Sequence, residues 1–255
     1  VRPPDGRLLV FDAGTGLRAL GLSLLRDRDP ADVELFLTHR HADHVMGLPY
    51  FAPLVVRDRA VRIRCGNGDA AALAQLIETL LSPPLFPAPD GLREALTIRE
   101  FGPAGDELVG PDVRVRAIPA HHPGGAAVLC LVDAGGVVVA FAPDNELALH
   151  REDPEAQAVR ERLLALLRGV PLLVHDATYS DDEVAAHAGW GHSSAEEATR
   201  FALACGAGRL LLTHHHPNRD DDAVTALVAR CRTLVDSAGA MLQVDAACDG
   251  MTVAV

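Results

Sequence analysis

The stretch THRHADHVMG, residues 38–47, follows directly on the apolar run VELFL (33–37) and places His39, His41, Asp43 and His44 within six positions. A packed core avoids such a cluster, because each imidazole carries two polar nitrogens that need partners. At the end of a strand that reads as buried, these side chains must therefore meet water or a metal ion. His39 and His41 stand two apart in an extended turn, so both rings can reach one ion. Asp43 and His44 open the following helical turn and point to a neighbouring ion.

Working outward, β-type runs recur at 7–12, 33–38, 61–65, 113–119, 127–133, 137–143, 171–176, 209–214 and 241–245. Helical patterns fall at 16–26, 43–50, 69–81, 154–168, 194–206 and 220–237. In SSAEEATRFALACG, Ser193 or Ser194 can cap a helix that has Glu197 in its first turn and Gly206 at its end. The Pro- and Gly-rich stretch 82–112 reads as a loop or lid. The run 113–147 reads as successive antiparallel strands, turning at Gly124-Gly125 and Gly135-Gly136. Strands mixed with helices predict a layered α/β or α+β domain, one unit over 1–255. Five strands deliver a polar residue at their C-terminal edge: His39, His122, Asp144, Asp176 and His214. Loops converging there from a rigid sheet form the kind of scaffold a catalytic centre requires.

Composition narrows the classes. With 49% hydrophobic residues and a mean hydropathy of +0.14 over 255 residues, the chain can bury a sizeable core. No run approaches the length of a membrane span, and VRPPDGRLLVFD lacks the regions of a signal peptide. A net charge of −12 argues against a nucleic-acid surface. Five scattered cysteines, odd in number and without a C-x-x-C, exclude thiolate zinc knuckles and fit a reducing, cytoplasmic setting. All five are expected to be small buried residues.

THRHADHVMG resembles the T-H-x-H-x-D-H-x-x-G signature of the metallo-β-lactamase-fold hydrolases. The resemblance continues in order through FDAGTG, HHPGG, APDNE, HDATYSDDE, GWGHSSAEEA and LLLTHHHP. It implies a four-layer αββα sandwich, two mixed sheets flanked by helices, with metals at the loop edge. The aspartate in the first cluster points to the branch similar to ribonuclease Z and small phosphodiesterases. By that resemblance His39 and His41 bind one metal with a histidine of HHPGG, His122 or alternatively His121. Asp43 and His44 bind a second metal with His214, and Asp144 bridges the two. Asp12 and Asp176 brace the metal loops, and His215 and His216 support the centre or face substrate. GWGHSSAEEA resembles the segment of ribonuclease Z-like enzymes whose histidine sits at the scissile phosphate. His192 is thus expected to protonate the leaving alkoxide, with the helix N-terminal amides at Ser193 and Ser194 holding phosphate oxygens. Trp190 has two readings, a ring that stacks on a base or sugar and, more often for a lone tryptophan, a packing residue. Family members carry an extra hairpin ahead of GRLLVFDAGTG, which is expected to be missing from this chain.

Imidazoles and carboxylates without thiolates suit two Zn²⁺ ions, with Mn²⁺ or Fe²⁺ also compatible. The expected activity is hydrolysis of a small or cyclic phosphodiester by a hydroxide bridging the metals, with Asp43, Asp144 and His192 as the catalytic set. Two alternatives use the same centre, a lactone or thioester hydrolase and a tRNA 3′-processing endonuclease. The latter needs a basic exosite, and none is legible. The expected partner is a small phosphodiester, with no membrane; a homodimer is compatible with the sequence.

Overall fold

The computed structural model describes residues 1–56, 59–65, 70–87, 97–100, 106–110, 112–123 and 128–255. The chain divides into two compact units, Val1–Ala117 and Ile118–Val255.

In the first unit, strands β1 (Leu8–Phe11), β2 (Val33–Leu37), β3 (Val61–Cys65) and β4 (Thr97–Glu100) form one sheet in sequence order. Every pair in it is parallel. Helices α1 (Gly16–Arg26), α2 (Ala42–Val45), α3 (Ala52–Val56) and α4 (Ala70–Leu80) occur between these strands in the chain. Val33, Leu35 and Leu37 alternate onto one face and join Leu17, Leu24, Leu73 and Ile77 in a common core. Each large side chain so buried contributes roughly 1.5–3 kcal/mol. The run VELFL is nonetheless two-faced. Glu34, on its other face, accepts from Arg62 Nη1 and Arg64 Nε, both at 3.0 Å, and the Arg64 guanidinium lies 5.8 Å from the Phe36 ring centre. Strand β5 (Asp106–Gly110) pairs antiparallel with β6 (Val113–Pro119), whose last two residues belong to the second unit.

In the second unit the strands are β7 (Val128–Ala134), β8 (Val137–Ala142), β9 (Leu172–Asp176), β10 (Arg209–Thr213) and β11 (Gln243–Ala246). They are ordered β11-β10-β9-β8-β7. β8 through β11 are parallel, and β7 returns antiparallel to β8 through Gly135-Gly136. The longer helices are α5 (Pro154–Leu166), α7 (Ala195–Cys205) and α8 (Asp221–Ser237), with a short α6 at Asp181–Val184. Leu163, Phe201, Leu227 and Cys231 of these helices pack with Leu173, Leu210 and Val244 of the sheet. Ser194 caps α7 in a reciprocal pair with Glu197, and Gly206 ends the helix at φ 66°.

The class read from the sequence, two sheets with flanking helices, is the one found, although the first sheet is parallel throughout rather than mixed. The stretch 82–112 corrects the loop reading, for it contains β4 and β5. Residues 88–96, 101–105 and 111 of that stretch lie outside the described residues, as does the turn expected at Gly124-Gly125. The cysteine expectation is corrected at one position: Cys65, Cys205 and Cys231 are buried, but Cys248 is exposed. The side chain of Cys130 lies outside the described residues. Burial pushes the Cys205 thiol up to about 12 and the Cys231 thiol to about 11. Brief iodoacetamide treatment of the folded protein is expected to alkylate Cys248 and spare Cys205 and Cys231, as peptide mapping would read. No helix among the described residues is long and apolar enough to cross a membrane.

Candidate metal centre

In the first unit the site is built where β1 and β2, adjacent and parallel, end together. Asp12 follows β1 in a left-handed conformation, φ 63°. Its Oδ1 accepts the Thr38 backbone N–H at 2.7 Å and the Thr38 hydroxyl at 2.9 Å. Its Oδ2 accepts from His44 Nδ1 at 2.9 Å. Because the carboxylate only accepts, the Thr38 hydroxyl is its donor, and that hydroxyl's lone pair faces His39 Nδ1 at 3.1 Å. Both imidazoles are thus protonated at Nδ1, which leaves Nε2 as the nitrogen with a lone pair. His39 Nε2 lies 3.0 Å from His41 Nδ1, and Asp43 Oδ2 lies 3.3 Å from His44 Nε2.

The segment holding these residues is laced to the Asp12 loop by backbone bonds, Ala13 N–H to His44 O and Gly47 N–H to Ala13 O, both 2.8 Å. The approach is so close that a Cβ at Gly47 would stand 2.0 Å from Gly14 O. The glycine closing THRHADHVMG is therefore a steric requirement.

In the second unit, Asp144, Asp176 and His214 come from the C-terminal ends of three adjacent parallel strands, β8, β9 and β10. Here the first unit's arrangement recurs. Asp176, with 0% exposure, accepts the Thr178 N–H and hydroxyl on Oδ1, both at 2.9 Å, and His192 Nδ1 on Oδ2 at 2.7 Å. The Thr178 hydroxyl in turn faces His214 Nδ1 at 2.9 Å, and His214 is left-handed at φ 57°. One carboxylate in each unit, half-buried Asp12 and fully buried Asp176, thus directs two histidines, one directly and one through a threonine hydroxyl.

Asp144 is 2% exposed. His214 Nε2 is 3.6 Å from its Oδ1, and His122 Nε2 is 3.9 Å from its Oδ2. Asp144, His192 and His214 offer ligand atoms within 4.8 Å of one another. Of the HHPGG pair, His122 is buried and donates from Nδ1 to Gly191 O at 3.0 Å. His121 instead turns Nδ1 to Glu146 O at 3.2 Å and Nε2 to Asp153 at 3.7 Å. Gly124 and Gly125 lie outside the described residues.

Ser193 and Ser194 do not face a substrate: both have 0% exposure. The Ser193 hydroxyl donates to Asn145 O at 2.6 Å and accepts Leu147 N–H at 2.9 Å, while Ser194 caps α7 and donates to Asp181 at 2.6 Å. His215 turns inward, with both ring nitrogens shielded from solvent, and burial pushes its pKa down. His216 lies near Tyr179, 6.2 Å between ring centres.

Four residues that sequence reasoning passed over complete these arrangements, Thr38 in the first unit and the others in the second. Thr38 and Thr178 are the hydroxyl links just described. The Asn145 side chain accepts the His121 N–H at 3.1 Å, and its backbone N–H donates to Asp176 at 3.3 Å. Glu146 accepts the N–H of Gly189 at 3.0 Å and of Gly191 at 2.9 Å, fixing the GWGH loop. The only advance signals were their places in the quoted motifs, T-H-x-H, H-D-A-T and A-P-D-N-E.

Fold and donor chemistry together define a metal-dependent hydrolase. The chain belongs to the β-lactamase superfamily, whose domain model matches residues 7–215. Among its relatives, ribonuclease Z of Haloarcula marismortui is 28% identical over 252 residues, covering 82% of this chain and 77% of that protein. The metallo-β-lactamase fold protein YhfI of Bacillus subtilis has the same fold, with a TM-score of 0.69 at 20% identity over 97% of this chain and 87% of that one. A diphosphatase of the PhnP family matches with a TM-score of 0.61 at 17% identity, over 98% of this chain and 81% of that one.

Proposed function

We propose that this chain hydrolyses small or cyclic phosphodiesters with two divalent ions, held by His39, His41, Asp43, His44, His122, Asp144 and His214. The donor set of imidazoles and carboxylates fits Zn²⁺, with Mn²⁺ and Fe²⁺ as alternatives. The separation of His39 Nε2 and His41 Nδ1, 3.0 Å, is close to the ~3.3 Å between two ligands of a tetrahedral ion bonded at 2.0–2.1 Å. Bound ions would supply Lewis-acid activation of water and of the phosphoryl oxygen.

The observation that carries the phosphodiesterase reading is His192. Asp176 holds its Nδ1 at 2.7 Å, so Nε2 is the nitrogen that can exchange a proton with a leaving alkoxide. The ring stacks on His214, 4.8 Å between centres, which keeps the proton donor beside the ligand set. Asp144 supports the reading as a nearly unexposed carboxylate with His122 and His214 directed at its two oxygens. Thr178→Val keeps the side-chain shape but removes the link to His214. It is expected to weaken divalent-metal binding roughly 10- to 100-fold, as read by competition with a chelating dye.

Cleavage of RNA is a second reading, favoured by the ribonuclease Z relative and opposed by the net charge of −12. The test is hydrolysis of bis(p-nitrophenyl) phosphate by protein loaded with Zn²⁺ or Mn²⁺, beside a short single-stranded RNA. Metal-dependent turnover of the diester that falls roughly 10³-fold in Asp144→Ala supports the proposal. Protein carrying two ions by elemental analysis yet inert on every diester would overturn it, and lactones and thioesters would be assayed next.

A further inference from the structure

The only tryptophan of the chain, Trp190, is 60% exposed on the loop that carries His192. Exposure of so large a ring gives up burial that a packing role would have secured. The loop that exposes it is nevertheless firmly held. Gly189 and Gly191 flank Trp190 at φ 83° and 88°, and both give their N–H to the buried Glu146 carboxylate. The Trp190 N–H closes a turn on His187 O at 3.1 Å. A Cβ at Gly191 would fall 2.1 Å from His122 Nδ1, so this loop conformation is tied to the site. The indole is therefore presented in advance, with little ordering cost left for a ligand to meet.

From Trp190 a line of rings leads to the proton donor. Trp190 meets His187 edge-on, 5.0 Å between centres at 85°. His187 lies flat on the buried Tyr179, 4.2 Å apart at 11°, and Tyr179 stands 6.2 Å from the His192 ring. Trp190 and His192 are two residues apart, so their Cα atoms are within about 7 Å, the scale on which a nucleotide separates its base from its phosphate. We propose that Trp190, backed by His187, is a stacking platform for the base of a nucleoside phosphodiester whose phosphate is attacked beside His192. The inference rests on the phosphodiesterase reading and narrows its substrate class. Stacking of this kind tolerates any base, because every base offers a π-face. A free nucleotide is favoured over a long polynucleotide. The guanidiniums of this neighbourhood, Arg151 and Arg219, are engaged by Glu146, Asp153 and Glu183 rather than offered to a phosphate backbone.

Two measurements separate this inference from the reading beneath it. The first is quenching of the single tryptophan's fluorescence by a nucleoside 2′,3′-cyclic phosphate, against ribose 2,3-cyclic phosphate without a base. Saturable quenching by the base-bearing compound alone is expected, and no quenching overturns the platform. The second compares kcat and KM of the wild type, Trp190→Ala and Trp190→Phe on the same pair. The preference for the base-bearing diester should fall roughly 10- to 100-fold in Trp190→Ala, with the change in KM, and largely return in Trp190→Phe. Equal preference in all three, with turnover intact, overturns the platform and leaves the phosphodiesterase reading standing. Saturable quenching without turnover of either diester does the reverse. A single-stranded oligonucleotide that quenches far more tightly than the cyclic nucleotide would overturn the choice of a free nucleotide.

Discussion

Asp176→Asn is expected to lower kcat on a dialkyl phosphodiester by roughly 10²–10⁴-fold, the range for a positioned proton donor. The substitution keeps size and burial but changes what the side chain can accept. Thr178 gives both its N–H and its hydroxyl to Oδ1, so the single oxygen of an asparagine is drawn to that side. Its NH₂ then faces His192 Nδ1, where the native oxygen accepts at 2.7 Å. Two donors cannot share that contact, so Nδ1 must lose its proton, and the doubly protonated ring that would give up a proton from Nε2 is disfavoured. The loss should track the leaving group. It is largest for an alkoxide, which needs the proton, and small for p-nitrophenolate, which does not. Rates on a series of aryl and alkyl diesters read this directly. An equal loss across the series would indicate that Asp176 only holds the fold.

Gly47→Ala is expected to cost on the order of 3 kcal/mol or more in stability and to abolish tight metal binding. The added methyl would stand 2.0 Å from Gly14 O and 2.8 Å from Ala13 O, and backbone cannot swing aside as a flexible side chain can. Relief requires parting the Asp12 loop from the His44 turn, which breaks the two 2.8 Å bonds between them and draws Asp12 away from His44. Gly16→Ala is the control. Nothing lies within 4 Å of its added methyl, and it opens helix α1, where alanine is the better helix former. Thermal melts with and without Zn²⁺ are expected to show Gly16→Ala at or above wild type and Gly47→Ala far below it. Melts of the two variants that coincide would show that the close approach at Gly47 carries no weight.

Much of this was legible in the sequence because the physics is local. Strand runs such as RLLLT and helices such as AEEATRFALAC declare themselves through period and caps, and the crowding of His39, His41, Asp43 and His44 has few explanations in a packed chain. What escaped depends on neighbours distant in sequence. TIRE (97–100) is mostly exposed and too short to show a pattern, and becomes a strand only by pairing with β3. Glu34 is tolerated within the run VELFL because Arg62 and Arg64 stand opposite it on the next strand, a pairing that the run itself does not show. His121 and His122 could not be told apart in advance, since adjacent residues of identical chemistry differ only in the direction each ring takes. Thr38 and Thr178 are ordinary residues whose importance lies in which oxygen and which imidazole they stand between.

The recurrence of one carboxylate, one threonine and two histidines in each unit has a consequence for how the chain folds. In the first unit Asp12, Thr38, His39 and His44 fall between residues 12 and 44, at the ends of neighbouring strands. In the second, Asp176, Thr178, His192 and His214 fall between residues 176 and 214, again spanning two paired strands. Each arrangement is thus closed by short stretches of chain, for which the entropy of loop closure is small. Each unit can set the direction of its own imidazoles without waiting for the other to fold.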